Sequence, residues 1–101
     1  KAIIVARQLY KNEKKPKWLA EEGILIYENE KKLHGNILNA LDKMKTLMDK
    51  SIALGVNDPM YLNYYGYTLI EHDFNIDRGI KLVRKALSMS PNDIYYLDSL
   101  A

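Results

Sequence analysis

The sequence predicts an all-α protein built from successive helix pairs. Apolar residues recur at steps of three and four along nearly the whole chain, which is the period of an amphipathic helix. The breaks between these segments carry residues that end or begin helices, such as Gly55 and the Asp58-Pro59 pair. Only three prolines and five glycines occur in 101 residues, too few for a β-rich fold of many short strands.

The first three predicted helices cover about residues 2–13, 18–30 and 36–54. Pro16 separates the first two, because proline lacks the amide hydrogen that an interior helical turn donates. The apolar stripe of the third helix steps through Ile37, Leu41, Met44, Met48 and Ser51. We expect four further residues to widen this stripe, namely Leu38, Leu47, Ile52 and Leu54. Gly55 then ends the helix, since glycine enters the left-handed conformation without strain.

The fourth and fifth helices are predicted at residues 59–72 and 77–89. Asp58 is expected to cap the fourth helix and Asn75 the fifth, because their side-chain oxygens can accept from unpaired backbone amides. The inner stripe of the fourth helix is Leu62, Tyr65, Gly66 and Leu69, and that of the fifth is Gly79, Ile80, Val83, Ala86 and Leu87. A sixth helix should open after Pro91 and stop with the chain at Ala101.

An internal repeat is the most informative feature of the sequence. Residues 50–66 align with residues 85–101 at one constant offset, so that Asn57 and Asn92 stand 35 positions apart. The pairs that this offset brings together are Lys50/Lys85, Ser51/Ala86, Asp58/Asp93, Tyr61/Tyr96, Leu62/Leu97 and Gly66/Ala101.

The stretch from Leu62 to Pro91 resembles one complete tetratricopeptide repeat of bacterial type, with one extra residue in its turn. The residues that carry the resemblance are Leu62, Tyr65, Gly66, Leu69, Gly79, Val83, Ala86 and Pro91. It implies a short right-handed α-solenoid of about two and a half helix pairs, with Gly66 and Ala86 at the helix crossing. Residues 1–14 would close a preceding unit, 17–55 would form an irregular pair, 58–91 a complete repeat and 92–101 a truncated helix.

The same resemblance implies a non-catalytic scaffold whose first helices line a concave groove for a protein or peptide. The predicted contact residues are Asn63, Tyr67, Ile70 and Glu71 in the complete repeat, Tyr95 and Asp98 in the next, and Ile24 and Tyr27 in the irregular pair. Relatives that clamp a chaperone tail use lysine, arginine and asparagine there, and only Asn63 fits that pattern. The expected partner is therefore a neutral to basic segment. Self-association through exposed repeat ends is the alternative.

Residues that could support catalysis or a cofactor are sparse. The chain has no cysteine, which excludes disulfides, thiolate zinc sites and thiol nucleophiles. His72 adjoins Glu71 and Asp73, but consecutive side chains of a helix end diverge rather than converge on a metal. We expect no enzyme, no cofactor and no metal site. No apolar run approaches the roughly 18 residues of a membrane span.

Four lysines crowd around Pro16: Lys11, Lys14, Lys15 and Lys17. A solvated turn, a contact for an acidic partner and a nucleic-acid contact are all compatible with them. The formal net charge of +2 is small for a nucleic-acid protein, so no nucleic-acid partner is predicted. The missing initiator methionine suggests a fragment of a longer protein. The compartment, bacterial cytoplasm or cell envelope, stays open.

Overall fold

Five helices make up most of the chain that the structure describes. The computed structural model describes residues 2–90, and within this range there is no strand. The helices are α1 (Ala2–Glu13), α2 (Lys17–Lys32), α3 (Ile37–Ala53), α4 (Pro59–Glu71) and α5 (Ile76–Met89). The all-α class is confirmed, and the five predicted segments shift by no more than two residues at either end. The predicted sixth helix lies outside the described residues.

The chain divides into two units between Val56 and Asn57. In the first unit, α2 packs against both α1 and α3. In the second unit, α4 packs against α5. The second unit is therefore one helix pair, and the first unit is the pair α2–α3 with α1 packed on α2.

Side-chain caps start three of the helices, and those at Asp58 and Asn75 were predicted. The carboxylate of Asp58 accepts a hydrogen bond of 2.8 Å from the backbone amide of Met60. The amide oxygens of Asn36 and Asn75 accept from backbone amides of the following turn, at 2.9 and 3.2 Å. These bonds satisfy amides that have no carbonyl partner within the helix, and such a cap is typically worth about 1 kcal/mol.

Four residues with positive φ follow helix ends. Gly55, after α3, has φ +113° and confirms the predicted stop. Lys14, His34 and Asp73 follow α1, α2 and α4 with φ of 59°, 54° and 51°. A left-handed residue lets the chain turn away from a helix axis, and it is less strained as glycine than as any of these three.

The core of the first unit lies along the predicted stripe of α3. Leu41, Met44, Met48 and Ser51 are buried. Leu38 does not widen this stripe, because it is 68% exposed. It lies about 100° around the helix from Ile37, on an exposed side of α3. Leu54, also predicted to be inside, is exposed at the residue that follows α3.

The helices of the second unit cross at two glycines. A Cβ atom built on Gly66 would lie 2.7 Å from the carbonyl oxygen of Gly79, and one built on Gly79 would lie 2.6 Å from the carbonyl oxygen of Gly66. Real Cβ atoms do not approach so closely, so the two backbones are in direct contact. The predicted contact position of Gly66 is confirmed, and Ala86 is completely buried.

An ion pair links α1 to α2. The Nε atom of Arg7 donates a hydrogen bond of 2.9 Å to Oε2 of Glu22. The side chain of Glu22 is only 11% exposed, whereas that of Arg7 is 61% exposed. The carboxylate is thus held where little water reaches it, and the guanidinium supplies its opposite charge.

We predict that Gly66→Ala lowers the free energy of unfolding by about 1–3 kcal/mol, because the new methyl group forces the touching backbones apart. Urea denaturation followed by circular dichroism measures the loss. Gly23→Ala is the matched control, since a Cβ on this buried helical glycine would lie 3.4 Å from its nearest neighbours. Alanine is intrinsically better in a helix by about 1 kcal/mol, so the control should be neutral or stabilising. Equal effects of the two variants would contradict a tight crossing.

A double-mutant cycle on Arg7→Ala and Glu22→Ala should give a coupling of about 0.5–1 kcal/mol in the free energy of unfolding. The exposure of Arg7 limits the value, and the burial of Glu22 keeps it above that of a surface pair. The control is the Lys45–Asp49 pair, whose charged atoms are 3.5 Å apart within one helix. Its coupling should not exceed about 0.5 kcal/mol. A larger coupling for the control than for Arg7–Glu22 would rule out a special role for the buried carboxylate.

Candidate partner-binding site

One face of α4 presents a row of large side chains to the outside. Met60, Tyr64, Tyr67 and Glu71 follow one another at steps of four, three and four, so they share one side of the helix. Met60 is 54% and Tyr67 42% exposed, Glu71 is exposed and Tyr64 is half-buried. We call these four residues the α4 stripe. It contains two of the predicted contact residues, Tyr67 and Glu71.

The opposite face of α4 determines which residues form the stripe. Leu62, Tyr65, Gly66 and Leu69 lie on that face and are buried. Since Gly66 touches the backbone of α5, the rotation of α4 about its own axis is set by the crossing. The α4 stripe therefore lies on a helix whose opposite side is packed against α5, and this packing prevents α4 from rotating about its axis.

Asn63 lies at the edge of this outer face and differs from the expectation. It was predicted to line an open groove, but its side chain is completely buried. Neither Nδ2 nor Oδ1 has a hydrogen-bond partner in the described part of the chain. Asn63 is rotated by about 60° from Met60 around the helix axis, which is enough to place it among buried neighbours. The adjacent edge residue Ile70 is partly exposed.

In the first unit, α2 carries a similar but less aromatic row. Ile24, a predicted contact residue, is partly exposed, and Lys17 and Glu28 are exposed on the same side. Tyr27 was also predicted to contact a partner, but it is 2% exposed. The ammonium group of Lys31 lies 5.9 Å from the centre of its ring. Tyr27 is therefore a core residue of this unit, with a cation near its ring.

Two predicted contact residues, Tyr95 and Asp98, lie outside the described residues. Of the remaining six, Tyr67 and Glu71 are brought together on one exposed face, Ile24 and Ile70 are partly accessible, and Asn63 and Tyr27 are buried. Met60 and Tyr64 join the face beside Tyr67. Met60 and Tyr64 lie seven and three residues before Tyr67, and this helical spacing is the signal in the sequence that places all three on one face.

The first unit also contains a cleft that the sequence did not indicate. It has a volume of about 440 Å³, and residues of α1, α2 and α3 line it, among them Ile3, Ile26 and Leu47. Two of its three carboxylates have partners, because Glu22 binds Arg7 and Glu30 accepts a bond of 3.0 Å from the amide of Asn36. Asn29, Asp42 and Lys43 also line the cleft, so its lining is mixed polar and apolar.

The described residues bring together no group of three or more histidine and acidic side chains that could hold a metal ion. Within residues 2–90, none of the helices combines the length and the apolar character needed to cross a bilayer. His34 and His72 stand just beyond the ends of α2 and α4. The α4 stripe offers phenol groups, a thioether and a carboxylate, which are groups suited to contacts with a partner.

We predict that Asn63→Leu raises the free energy of unfolding by about 1–2 kcal/mol, because a buried amide without hydrogen bonds is unfavourable and leucine has a similar size. Thermal and urea denaturation measure the gain. Thr68→Val is the control, since Thr68 is also buried but its hydroxyl donates a bond of 2.8 Å to the carbonyl of Tyr64. The control should be neutral or destabilising. If Asn63→Leu destabilises more than Thr68→Val, the amide of Asn63 is hydrogen-bonded in solution.

Comparisons of this chain with protein-family models, with curated proteins and with solved structures find no match. The resemblance to tetratricopeptide repeats therefore depends on the residues of the sequence alone.

Proposed function

We propose that this chain is a non-catalytic protein-interaction scaffold and that the α4 stripe is its contact surface. One observation carries the proposal: α4 exposes Met60, Tyr64, Tyr67 and Glu71 to different degrees on one face, while its other face is committed to the core. Met60, Tyr67 and Glu71 are exposed on this face, so a partner can reach their side chains.

The chemistry of the α4 stripe suits a protein interface. Tyrosine and methionine are enriched at such interfaces relative to the rest of the protein surface. Tyrosine combines a large apolar area with a hydroxyl group and has few rotamers to lose on binding. Because the Gly66 crossing holds α4 in place, a partner would bind side chains whose backbone is already positioned.

The packing of the two helix pairs supports a tetratricopeptide-like assignment. A Cβ atom built on Gly23 of α2 would meet Met44 and Leu47 of α3, and one built on Gly66 of α4 would meet Gly79, Leu82 and Val83 of α5. In both units a glycine of the first helix thus faces the second helix. We therefore propose that both pairs are repeats of a right-handed α-solenoid, in which Ile24 would lie on the partner-facing side of α2, and Tyr67 and Glu71 on that of α4.

The expected partner is a neutral to basic protein or peptide segment. The α4 stripe carries the carboxylate of Glu71 and no lysine or arginine, so a lysine or arginine of the partner would find both a counter-charge and aromatic faces. The basic side chains that bind a chaperone tail in related folds are missing from this surface.

Self-association is the second candidate, and one observation favours it. Ile4 and Val5 are exposed large apolar residues next to each other on α1. A second copy of the chain could cover them, since stacked helical repeats bury their apolar faces against one another.

We predict that Tyr67→Ala combined with Glu71→Gln reduces partner binding by at least about tenfold, the loss expected from truncating one tyrosine anchor. Proteins retained from a source-cell extract by the immobilised chain identify the partner, and calorimetry with that partner measures the change. The far-UV spectrum and melting temperature should not change, because both residues are exposed. The control is Lys81→Ala combined with Lys85→Ala on the exposed side of α5.

Equal binding by both double variants would contradict the α4 stripe as the contact surface. Sedimentation decides the alternative independently: a dimer that dissociates on Ile4→Gln with Val5→Gln would favour self-association, and a monomer at high concentration would remove it.

A further inference from the structure

We propose that the turn between α1 and α2 is a second docking site, and that it binds an acidic protein segment. Lys14 and Lys15 lie in the turn, Lys11 lies in the last turn of α1 and Lys17 is the first residue of α2, and all four are exposed. We call these four residues the basic turn. It belongs to the first unit, whereas the α4 stripe belongs to the second, and it is opposite in charge to Glu71.

Three of these lysines form no ion pair with a described carboxylate. Lys15 forms an ion pair of 3.6 Å with Glu13. The same Glu13 carboxylate accepts a hydrogen bond of 3.3 Å from the indole Nε1 of Trp18. No described acidic group lies within ion-pair distance of Lys11, Lys14 or Lys17, so about three positive charges remain uncompensated on one short turn.

Two aromatic rings position the uncompensated ammonium groups. The Nζ atom of Lys14 lies 5.8 Å from the centre of the Tyr10 ring, and that of Lys17 lies 4.7 Å from the Trp18 ring. Both distances are within the range of a cation–π contact. Because lysines already cover these rings, the rings are poorly placed to stack on nucleic-acid bases, and they restrict the lysine side chains before a partner arrives.

The charge chemistry favours carboxylates of a protein segment. Lysine is a compact point charge that accepts a carboxylate from many directions, so a flexible acidic segment can adapt to three such charges. A duplex is bound through an extended basic surface, whereas here Glu21 and Glu22 follow within the next two turns of α2. For a lipid surface, the Glu13 carboxylate beside Trp18 would have to approach anionic headgroups.

The backbone at Lys14 allows binding and stability to be separated. Lys14 has φ 59°, a conformation that glycine adopts with less strain. His34 and Asp73 share this conformation, so it does not by itself indicate a site. It does mean that Lys14→Gly should raise the melting temperature while it removes one of the proposed binding charges.

The test uses the full chain at low salt and a fluorescein-labelled peptide in which glutamate alternates with serine. Lys11→Gln, Lys14→Gln and Lys17→Gln together should weaken peptide binding by about tenfold, as expected for the loss of three solvent-exposed charge pairs. The control is Lys50→Gln, Lys81→Gln and Lys85→Gln, which removes the same charge from exposed positions elsewhere. It should change binding by less than about twofold. An equal loss in both triple variants would overturn the proposal, because net charge alone would explain it.

Two further arms identify the class of partner. A duplex DNA, or vesicles of phosphatidylcholine with phosphatidylglycerol, that bind more tightly than the peptide and lose binding in the Lys11/Lys14/Lys17 variant would overturn the acidic-protein assignment. Lys14→Gly should melt at a higher temperature yet bind the peptide more weakly; unchanged binding by this stabilised variant would also overturn the proposal. The Tyr67/Glu71 double variant should bind the peptide normally, so failure here is distinguishable from failure of the α4 stripe.

Discussion

The contact between the backbones of Gly66 and Gly79 is the constraint on which the second unit depends. Each glycine lacks the Cβ atom that would collide with the other helix. The helices can therefore approach until their backbones touch, and Leu62, Leu69 and Val83 are completely buried in the same unit. This close approach fixes the rotation of α4. Tyr67 is thus exposed because Gly66 and Gly79, which have no side chains, allow the opposite side of α4 to pack directly on α5.

The first unit solves the same packing problem with larger residues. A Cβ atom built on Gly23 would lie 3.4 Å from the side chains of Met44 and Leu47 and from the carbonyl oxygen of Met44, so α2 and α3 approach less closely than α4 and α5. The residue before this glycine is Glu22, whereas the residue before Gly66 is Tyr65, and both are buried. A buried carboxylate requires a counter-charge, and Arg7 of α1 supplies it. Glu22 of α2 is therefore the residue that links α1 to the pair formed by α2 and α3.

Helical periodicity and capping chemistry were sufficient to predict α1 to α5, because both are local properties of the chain. They also placed Gly66 and Ala86 in the core. The errors concern residues at the borders of helix faces. Asn63 and Tyr27 were expected outside and are buried, and Leu38 was expected inside and is exposed. At such borders, burial depends on which neighbouring helix covers the residue, and the spacing of residues within one helix does not contain that information.

The two proposed docking surfaces are opposite in charge, and this bears on how they would discriminate between partners. Glu71 on the α4 stripe would repel an acidic segment, and the basic turn would repel a basic one. Repulsion of the wrong ligand adds to specificity as effectively as attraction of the right one. Glu71 and the lysines are exposed, so a partner can pair with these charges without burying them completely. Each would therefore select its segment by charge while the Gly66–Gly79 crossing, the Arg7–Glu22 pair and the helix caps maintain the fold independently of either partner.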